Sequence, residues 1–321
     1  MGTPQFAVPS LRALAAGPYA LTVVTQPDRP AGRGGKVVAP PVKTLAEELG
    51  LPVMQPDSLR DPAFRKALAE LKPEVTVLVA YGEYLAPSLL DLPAQGSINL
   101  HPSLLPRWRG STPIQSAILA GDRVTGVSII RMDKGLDTGP VLAQRRVSLG
   151  LEETAPELSA RLAEVGAGLL AETLPLWLRG AIEPRPQGKE GVTVTREMRK
   201  EDGLIDWSTP AAAIARAVRA LQPWPGTYTY WQGRLFKVLR AREADALEGE
   251  PGEPGTVLVA RGAGRAKRVL VWTGSGALEL LEVQLEGKPP TEARALLSGY
   301  PHIAGDVLGK TVSKSGSGAK A

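Results

Sequence analysis

The first half of the chain alternates short β-branched runs with stretches of helical period. That alternation constrains the fold more than any other feature, because parallel strands are joined only through crossovers, and the intervening helices must cover the sheet. Residues 19–25, 75–80, 98–100 and 127–132 read as strands. Residues 9–16, 42–49, 62–71 and 155–177 read as helices. Asp61 stands where a cap can accept from orphan amides, and Gly50 stands where a helix stops.

These patterns predict an α/β, Rossmann-like domain with a parallel-rich sheet over residues 1–180. Residues 181–203 decay into Pro, Gly and charge and read as a linker. Short strands at 227–230, 234–240, 256–260, 269–272 and 277–284, split by Gly-containing turns, predict a small antiparallel barrel of OB type over 204–310. The low-complexity tail at 311–321 is expected to be disordered. Composition removes several chemistries. There is no cysteine and there are only two histidines, His101 and His302, so disulfides and thiolate zinc sites are excluded and no metal is expected. No apolar run is long enough to span a bilayer, and Pro4, Pro9 and Arg12 interrupt any signal-peptide pattern, so a cytoplasmic protein without membrane contact is expected. The net charge of +5, from 38 Lys plus Arg against 33 Asp plus Glu, permits a polyanionic partner without requiring one.

Chemistry concentrates in SINLHPSLLPRWRG (97–110) and MDKGLDTGP (132–140). Asn99 and His101 are two apart at a strand end, so their side chains share a face, at the edge where open α/β sheets bind ligands. An amide can meet a developing oxyanion and an imidazole can move a proton near neutral pH, which together suit acyl transfer. Asp137, in a glycine-bracketed loop after the next long strand, is the carboxylate that would hold the imidazole. Each residue alone has a plainer reading: a packed histidine, a turn aspartate, and buried loop packing for Leu104, Leu105 and Pro106. Their joint occurrence favours the site.

Segments 1–11 (MGTPQFAVPSL), 25–43 (TQPDRPAGRGGKVVAPPVK), 80–85 (AYGEYL), 99–110, 132–140 and 221–226 (LQPWPG) resemble, in order and approximate spacing, the folate-dependent formyltransferases and among them the methionyl-tRNA formyltransferases. The resemblance implies transfer of a formyl group from 10-formyltetrahydrofolate to the α-amino group of methionine on initiator tRNA. It casts Asn99, His101 and Asp137 as catalytic. It lays the folate along Ser103, Leu104, Leu105 and Pro106, with the pterin near Tyr84, Leu85 and Gly135. It assigns tRNA contact to the basic loop bearing Arg29, Arg33, Lys36 and Lys43, with Arg33 foremost, and it implies a monomer. Arg196, Arg199, Lys200, Arg261, Arg265, Lys267 and Arg268 are a second basic supply if they form a stripe. Trp224, between two prolines, is expected in a core or a domain junction.

One departure stands out: in the resembled family a full strand precedes the Gly2-Thr3-Pro4 turn, and here Gly2 follows Met1. The expectation is that neighbouring strands lose hydrogen-bond partners there and that a longer form is more soluble and more stable. Two rival readings keep parts of this picture. One is a formyltransferase acting on another amine, such as a nucleotide-sugar amine or a glycinamide ribonucleotide, which the second domain and the basic loop disfavour. The other is a noncatalytic tRNA-binding protein, which the intact Asn99, His101 and Asp137 disfavour.

Overall fold

A computed structural model describes residues 1–31, 35–245, 251–261 and 267–309. The chain forms two compact units: residues 1–117, 122–151 and 157–196 make the first, and residues 118–121, 152–156 and those from 197 on make the second. Residues 181–196, read as linker from their composition, group with the first unit because their backbone pairs with it, as Arg185 does with Val141 and Val194 with Arg109.

The first unit carries β1 (Val23–Val24), β2 (Arg29–Ala31), β3 (Lys36–Val38), β4 (Val53–Met54), β5 (Thr76–Leu78), β6 (Ser97–His101), β7 (Val124–Arg131) and β8 (Val141–Ser148). Its helices are α1 (Val8–Ala15), α2 (Pro41–Glu48), α3 (Pro62–Glu70), α4 (Pro87–Leu90), α5 (Pro113–Ala120), whose last residues fall in the second unit, and α6 (Ala155–Leu178). The main sheet runs β5-β6-β7-β8, parallel between β5 and β6 and antiparallel beyond, while β1 and β4 form a separate parallel pair. All five residues of β6 are buried, because strands flank it on both sides and α6 lies close to it. The close approach depends on Gly166 in α6, where a Cβ would lie 2.7 Å from Leu100 Cδ2. Asp61 caps α3 as its position predicts, accepting from the Ala63 N–H at 2.9 Å, with Pro62 opening the helix.

Met1 and Gly2 lie between β1 and β5. The Met1 amino group donates to Val77 O at 2.7 Å, Val79 N–H donates to Met1 O at 2.9 Å, and Gly2 N–H donates to Val24 O at 3.0 Å. Beside them a cavity of about 640 Å³ runs between the facing edges of the two sheets, walled by Leu14, Val23, Val77 and Leu174 among others. Only Val23 and Val24 of the expected 19–25 strand join a ladder.

The second unit contains α7 (Ala211–Ala220), β9 (Thr227–Trp231), β10 (Arg234–Glu243), β11 (Val257–Arg261), β12 (Lys267–Trp272), β13 (Ala277–Leu285), β14 (Thr291–Glu292) and α8 (Ala293–Gly299). The antiparallel sheet is ordered β11-β12-β13-β10-β9, with β14 on β13. Its core joins Ile214 and Val218 of α7 to Phe236, Val238, Leu280 and Val283. Closure into the expected barrel is not observed: among the described residues β9 and β11 stand at the two ends of the path and do not pair. The expected tail at 311–321 lies outside the described residues.

Gly126 on β7 is the tightest point beneath the 103–106 loop: a Cβ there would lie 2.1 Å from Arg145 O and 2.7 Å from Leu104 Cδ2. A carbonyl in a ladder cannot yield as a side-chain tip can. Gly126→Val should therefore destabilise the fold by about 1–3 kcal/mol or more, read as a lower urea midpoint; an unchanged midpoint would refute the close approach.

Candidate active site

Two loops converge on the C-terminal end of β6. Register with β5 and β7 (Leu78↔Asn99↔Ile130) fixes Asn99, and the pleat puts His101 on the same face, 8% and 4% exposed respectively. Asp137 comes from the β7–β8 loop. Its Oδ1 accepts from Asn99 Nδ2 at 3.4 Å, its Oδ2 accepts from the Gly110 N–H at 2.8 Å, and Oδ2 stands 3.5 Å from His101 Nδ1. The loop after β6 brings Trp108, whose carbonyl oxygen lies 2.8 Å from His101 Nε2.

The last contact decides the tautomer. A carbonyl only accepts, so Nε2 carries the proton, and Nδ1 presents its lone pair to the Asp137 carboxylate. Two acceptors then face each other, and the pair is one proton short of a hydrogen bond. Burial lowers the His101 pKa below its ordinary value, with the Asp137 charge and the Trp108 carbonyl opposing that shift. The ring is neutral at pH 7 and faces a base. The Trp108 backbone thus sets the tautomer, and the Asp137 carboxylate faces the nitrogen without a proton.

Both residues flanking the imidazole have left-handed backbone, Trp108 at φ 61 and Asp137 at φ 51. The Asp137 loop is shaped from within by Asp133 Oδ1, which accepts from Gly135 N–H at 3.0 Å and from Thr138 Oγ1 at 2.6 Å. Gly139 allows the loop to touch β7, since a Cβ there would lie 1.8 Å from Arg131 O.

The expected folate segment divides in two. Ser103 is fully buried, donating to Arg107 O at 2.6 Å, and Leu105 packs with Ile130 and Val141, so both side chains serve the loop's own shape. Leu104 and Pro106 are half-buried. Of the other three, Leu85 is in a core cluster, whereas Gly135 is exposed and Tyr84 is 66% exposed, its hydroxyl donating to Lys134 O at 3.2 Å beside exposed Leu136. Among the described residues no group of three His, Cys, Asp or Glu is placed to hold a metal ion.

Residues 2–174 match the formyl transferase family model, and residues 197–301 match the model of the formyl transferase C-terminal domain. The chain belongs to the formyl transferase family. The methionyl-tRNA formyltransferase of Chloroflexus aurantiacus is 49% identical over 300 residues, covering 93% of this chain and 95% of the relative. That of Myxococcus xanthus is 46% identical over 312 residues, 95% and 97% of the two chains. Among solved structures, the fold is similar to an N-formyltransferase from Helicobacter canadensis (TM-score 0.63, 15% identity, 87% of this chain and 96% of that one). It is also similar to HypX from Aquifex aeolicus (TM-score 0.57, 22% identity, 80% of this chain), of which this chain spans 44%.

In this formyl transferase the basic loop is a two-stranded ribbon, with Arg29 opposite Val38 and Ala31 opposite Lys36. Arg33 lies outside the described residues. Lys36 is exposed beside exposed Val37 and Val38, and Arg29 donates to Gln26 Oε1 at 3.1 Å. Lys43 belongs elsewhere: it lies in the first turn of α2 and is held by Asp28 at 2.7 Å, which raises its pKa, while Gln55 and Lys43 together hold Asp28 below the usual carboxylate range. In the second unit Arg268 is likewise committed, bonded to Glu279 at 2.7 Å with Arg242 on the same oxygen, and Arg265 lies outside the described residues. Trp224, expected in a core or a domain junction, is 57% exposed on a turn between two prolines, so the core alternative is corrected.

The sign of the His101 shift is testable by ring-carbon NMR. Its folded pKa lies below the unfolded value of about 6.5, so protonation favours the unfolded chain, and stability contributed by the neutral ring is lost as pH falls through that value. Asp137→Asn removes the charge that opposes the shift. The ring should then titrate at still lower pH, and an upward move would contradict the geometry.

Proposed function

We propose that this formyl transferase carries the formyl group of 10-formyltetrahydrofolate to the α-amino group of methionyl initiator tRNA. The observation that carries the chemistry is the convergence of Asn99, His101 and Asp137 at one strand end, with the imidazole neutral and facing a carboxylate. The acceptor is supported by relatives named methionyl-tRNA formyltransferase, similar over both matched domains.

The residues fit the donor's chemistry. Tyr84, Leu136, Leu104 and Pro106 offer apolar surface to a flat heteroaromatic ring, and Gly135 is open to solvent. An α-amino group has a pKa near about 8 and an ester neighbour lowers it, so the acceptor arrives largely as neutral amine. As its nitrogen bonds to the formyl carbon, the carbonyl oxygen becomes an oxyanion, which Asn99 Nδ2 meets with the N–H not turned to Asp137. The amine's proton passes to the Asp137–His101 pair, filling the gap between Oδ2 and Nδ1. Collapse breaks the bond between the formyl carbon and the folate nitrogen, and the same proton goes to that leaving nitrogen, so the pair returns to its starting charge. His101 Nδ1 thus becomes a donor only after the pair has taken up this proton, while Nε2 keeps its hydrogen bond to Trp108 O.

Arg29 and Lys36 on the ribbon, with Arg33 between them in the sequence, form the proposed contact to the acceptor end of the tRNA, and exposed Arg261 and Lys267 add phosphate contacts in the second unit. A cytoplasmic location and a monomeric state complete the same reading.

Incubating the protein with 10-formyltetrahydrofolate and methionylated initiator tRNA should yield formylmethionine on deacylation, whereas a nucleotide-sugar amine and glycinamide ribonucleotide should stay unmodified. Asn99→Ala should lower kcat by on the order of 10²–10³, and His101→Ala by on the order of 10²–10⁴. Arg33→Ala should raise the KM for tRNA with little change in kcat. Near-normal turnover in His101→Ala would overturn the mechanism, and formylation of a sugar amine alone would overturn the acceptor.

A further inference from the structure

The 185–196 segment holds the site more directly than its composition suggests. Arg185 pairs with Val141 just past the Asp137 loop, with N···O distances of 2.7 and 2.9 Å. Thr193 Oγ1 accepts from Trp108 N–H at 2.7 Å, Thr193 O accepts from Arg109 N–H at 2.9 Å, and Thr195 N–H donates to Arg109 O at 2.7 Å. Between these anchors lies Gln187, whose amide is fully engaged. Its Nε2 donates to Asp137 O at 2.7 Å and to Gly139 O at 2.8 Å, and its Oε1 accepts from Arg109 Nη2 at 2.7 Å and Nε at 3.1 Å.

Gln187 therefore joins two loops that otherwise meet through the Asp137 carboxylate on the Gly110 N–H. One loop carries Asp137, at positive φ, and the other carries Trp108, also at positive φ, whose carbonyl holds the far side of the imidazole. Left-handed backbone at non-glycine residues persists only where the surroundings over-determine it. Here the segment supplies that determination at both residues, by Thr193 on Trp108 and by Gln187 on Asp137. The gap between Nδ1 and Oδ2 is 3.5 Å, wide enough that a shift of a few tenths of an ångström decides whether the pair can share a proton.

We propose that Gln187 is a positioning residue for the proton-accepting pair: by bridging the Asp137 and Gly139 carbonyls to the Arg109 guanidinium, it sets where the Asp137 carboxylate stands relative to His101. It touches no reacting atom and acts through Asp137. The inference rests on the reading of Asp137 and His101 given above.

The experiment combines Gln187→Met, Asp137→Asn and the double variant, measuring kcat, both KM values, thermal unfolding and the His101 ring titration. Met keeps the length of the side chain and removes both donors and the acceptor. Gln187→Met should lower kcat by up to on the order of 10², leave both KM values within about threefold, and shift the His101 titration in the same direction as Asp137→Asn. In the Asp137→Asn background it should cost little more. An independent, multiplicative loss in the double variant, or a fall in kcat and stability with an unmoved His101 titration, would mean that Gln187 only supports the fold, and would overturn the proposal. If Asp137→Asn itself leaves kcat and the titration unchanged, the reading of the pair fails first. If Asp137→Asn is impaired and Gln187→Met is not, the pair stands and the positioning role falls.

Discussion

An imidazole buried to 4% exposure with a partner at each nitrogen is the constraint on which the catalytic unit depends. Burial alone makes the ring a poor base, because it disfavours the protonated form. The carboxylate restores basicity to the pair, and the Trp108 carbonyl ensures that the open position is the one facing the carboxylate. Neither partner could be supplied from β6 itself, whose residues are already fixed by ladders on both sides. The fold must therefore deliver two loops to one strand end, and most of the polar bonding around the site serves that delivery.

Much of that bonding lies below the surface of the loops. Ser128 on β7 donates to Ser103 O at 2.6 Å and accepts from Leu105 N–H at 3.1 Å, and Gln144 on β8 donates to Leu105 O at 2.9 Å. The loop after β6 is thus bonded to the two strands beside it before it reaches Trp108. Farther out, Asp122 accepts from Arg107 at 2.9 and 2.7 Å and from Trp108 Nε1 at 2.8 Å, and the Arg107 guanidinium lies 4.1 Å from the Trp108 ring centroid. These bonds fix the indole, and the indole's own backbone carbonyl fixes the histidine. Buried serines that look like ligand contacts in a linear motif turn out to hold the main chain in place, as the full burial of Ser103 requires.

What the sequence made legible follows periodicity. Helix α6 was readable to within a residue because Leu158, Leu162 and Leu169 repeat at helical spacing over many turns. The strand end bearing Asn99 and His101 was readable because an apolar β run breaks into polar residues two apart. Helix α7 was passed over although Ile214, Val218 and Leu221 carry the same signal, a repeat short enough to be masked by alanines. Strand β8 hid because only its first two residues are fully buried, and Arg145 and Arg146 interrupt the apolar pattern. Gln187 left no trace at all: a single amide in a Pro, Gly and charge run has no period, and its partners are main-chain carbonyls that any residue could provide. Sheet closure in the second unit was likewise beyond alternation, since pairing of the terminal strands depends on sheet curvature and not on which face each residue occupies.

The distribution of charge separates two jobs that composition merges. Several of the cations counted in the net charge are already committed: Lys43 to Asp28, Arg107 to Asp122, Arg145 to Glu172, and Arg242 and Arg268 to Glu279. In Glu279 burial works to raise the pKa, but the two guanidinium groups prevail and keep it ionised, so the trio is an internal structure holding β10, β12 and β13 together. A guanidinium bonded in this way offers less to a phosphate, because leaving its partner exposes a buried carboxylate. The cations that remain exposed include Lys36 on the ribbon of the first unit and Arg261 and Lys267 in the second. Screening by salt acts on such exposed cations and leaves the buried, mutually bonded charges nearly untouched, so net charge alone overstates what is free to meet a polyanion.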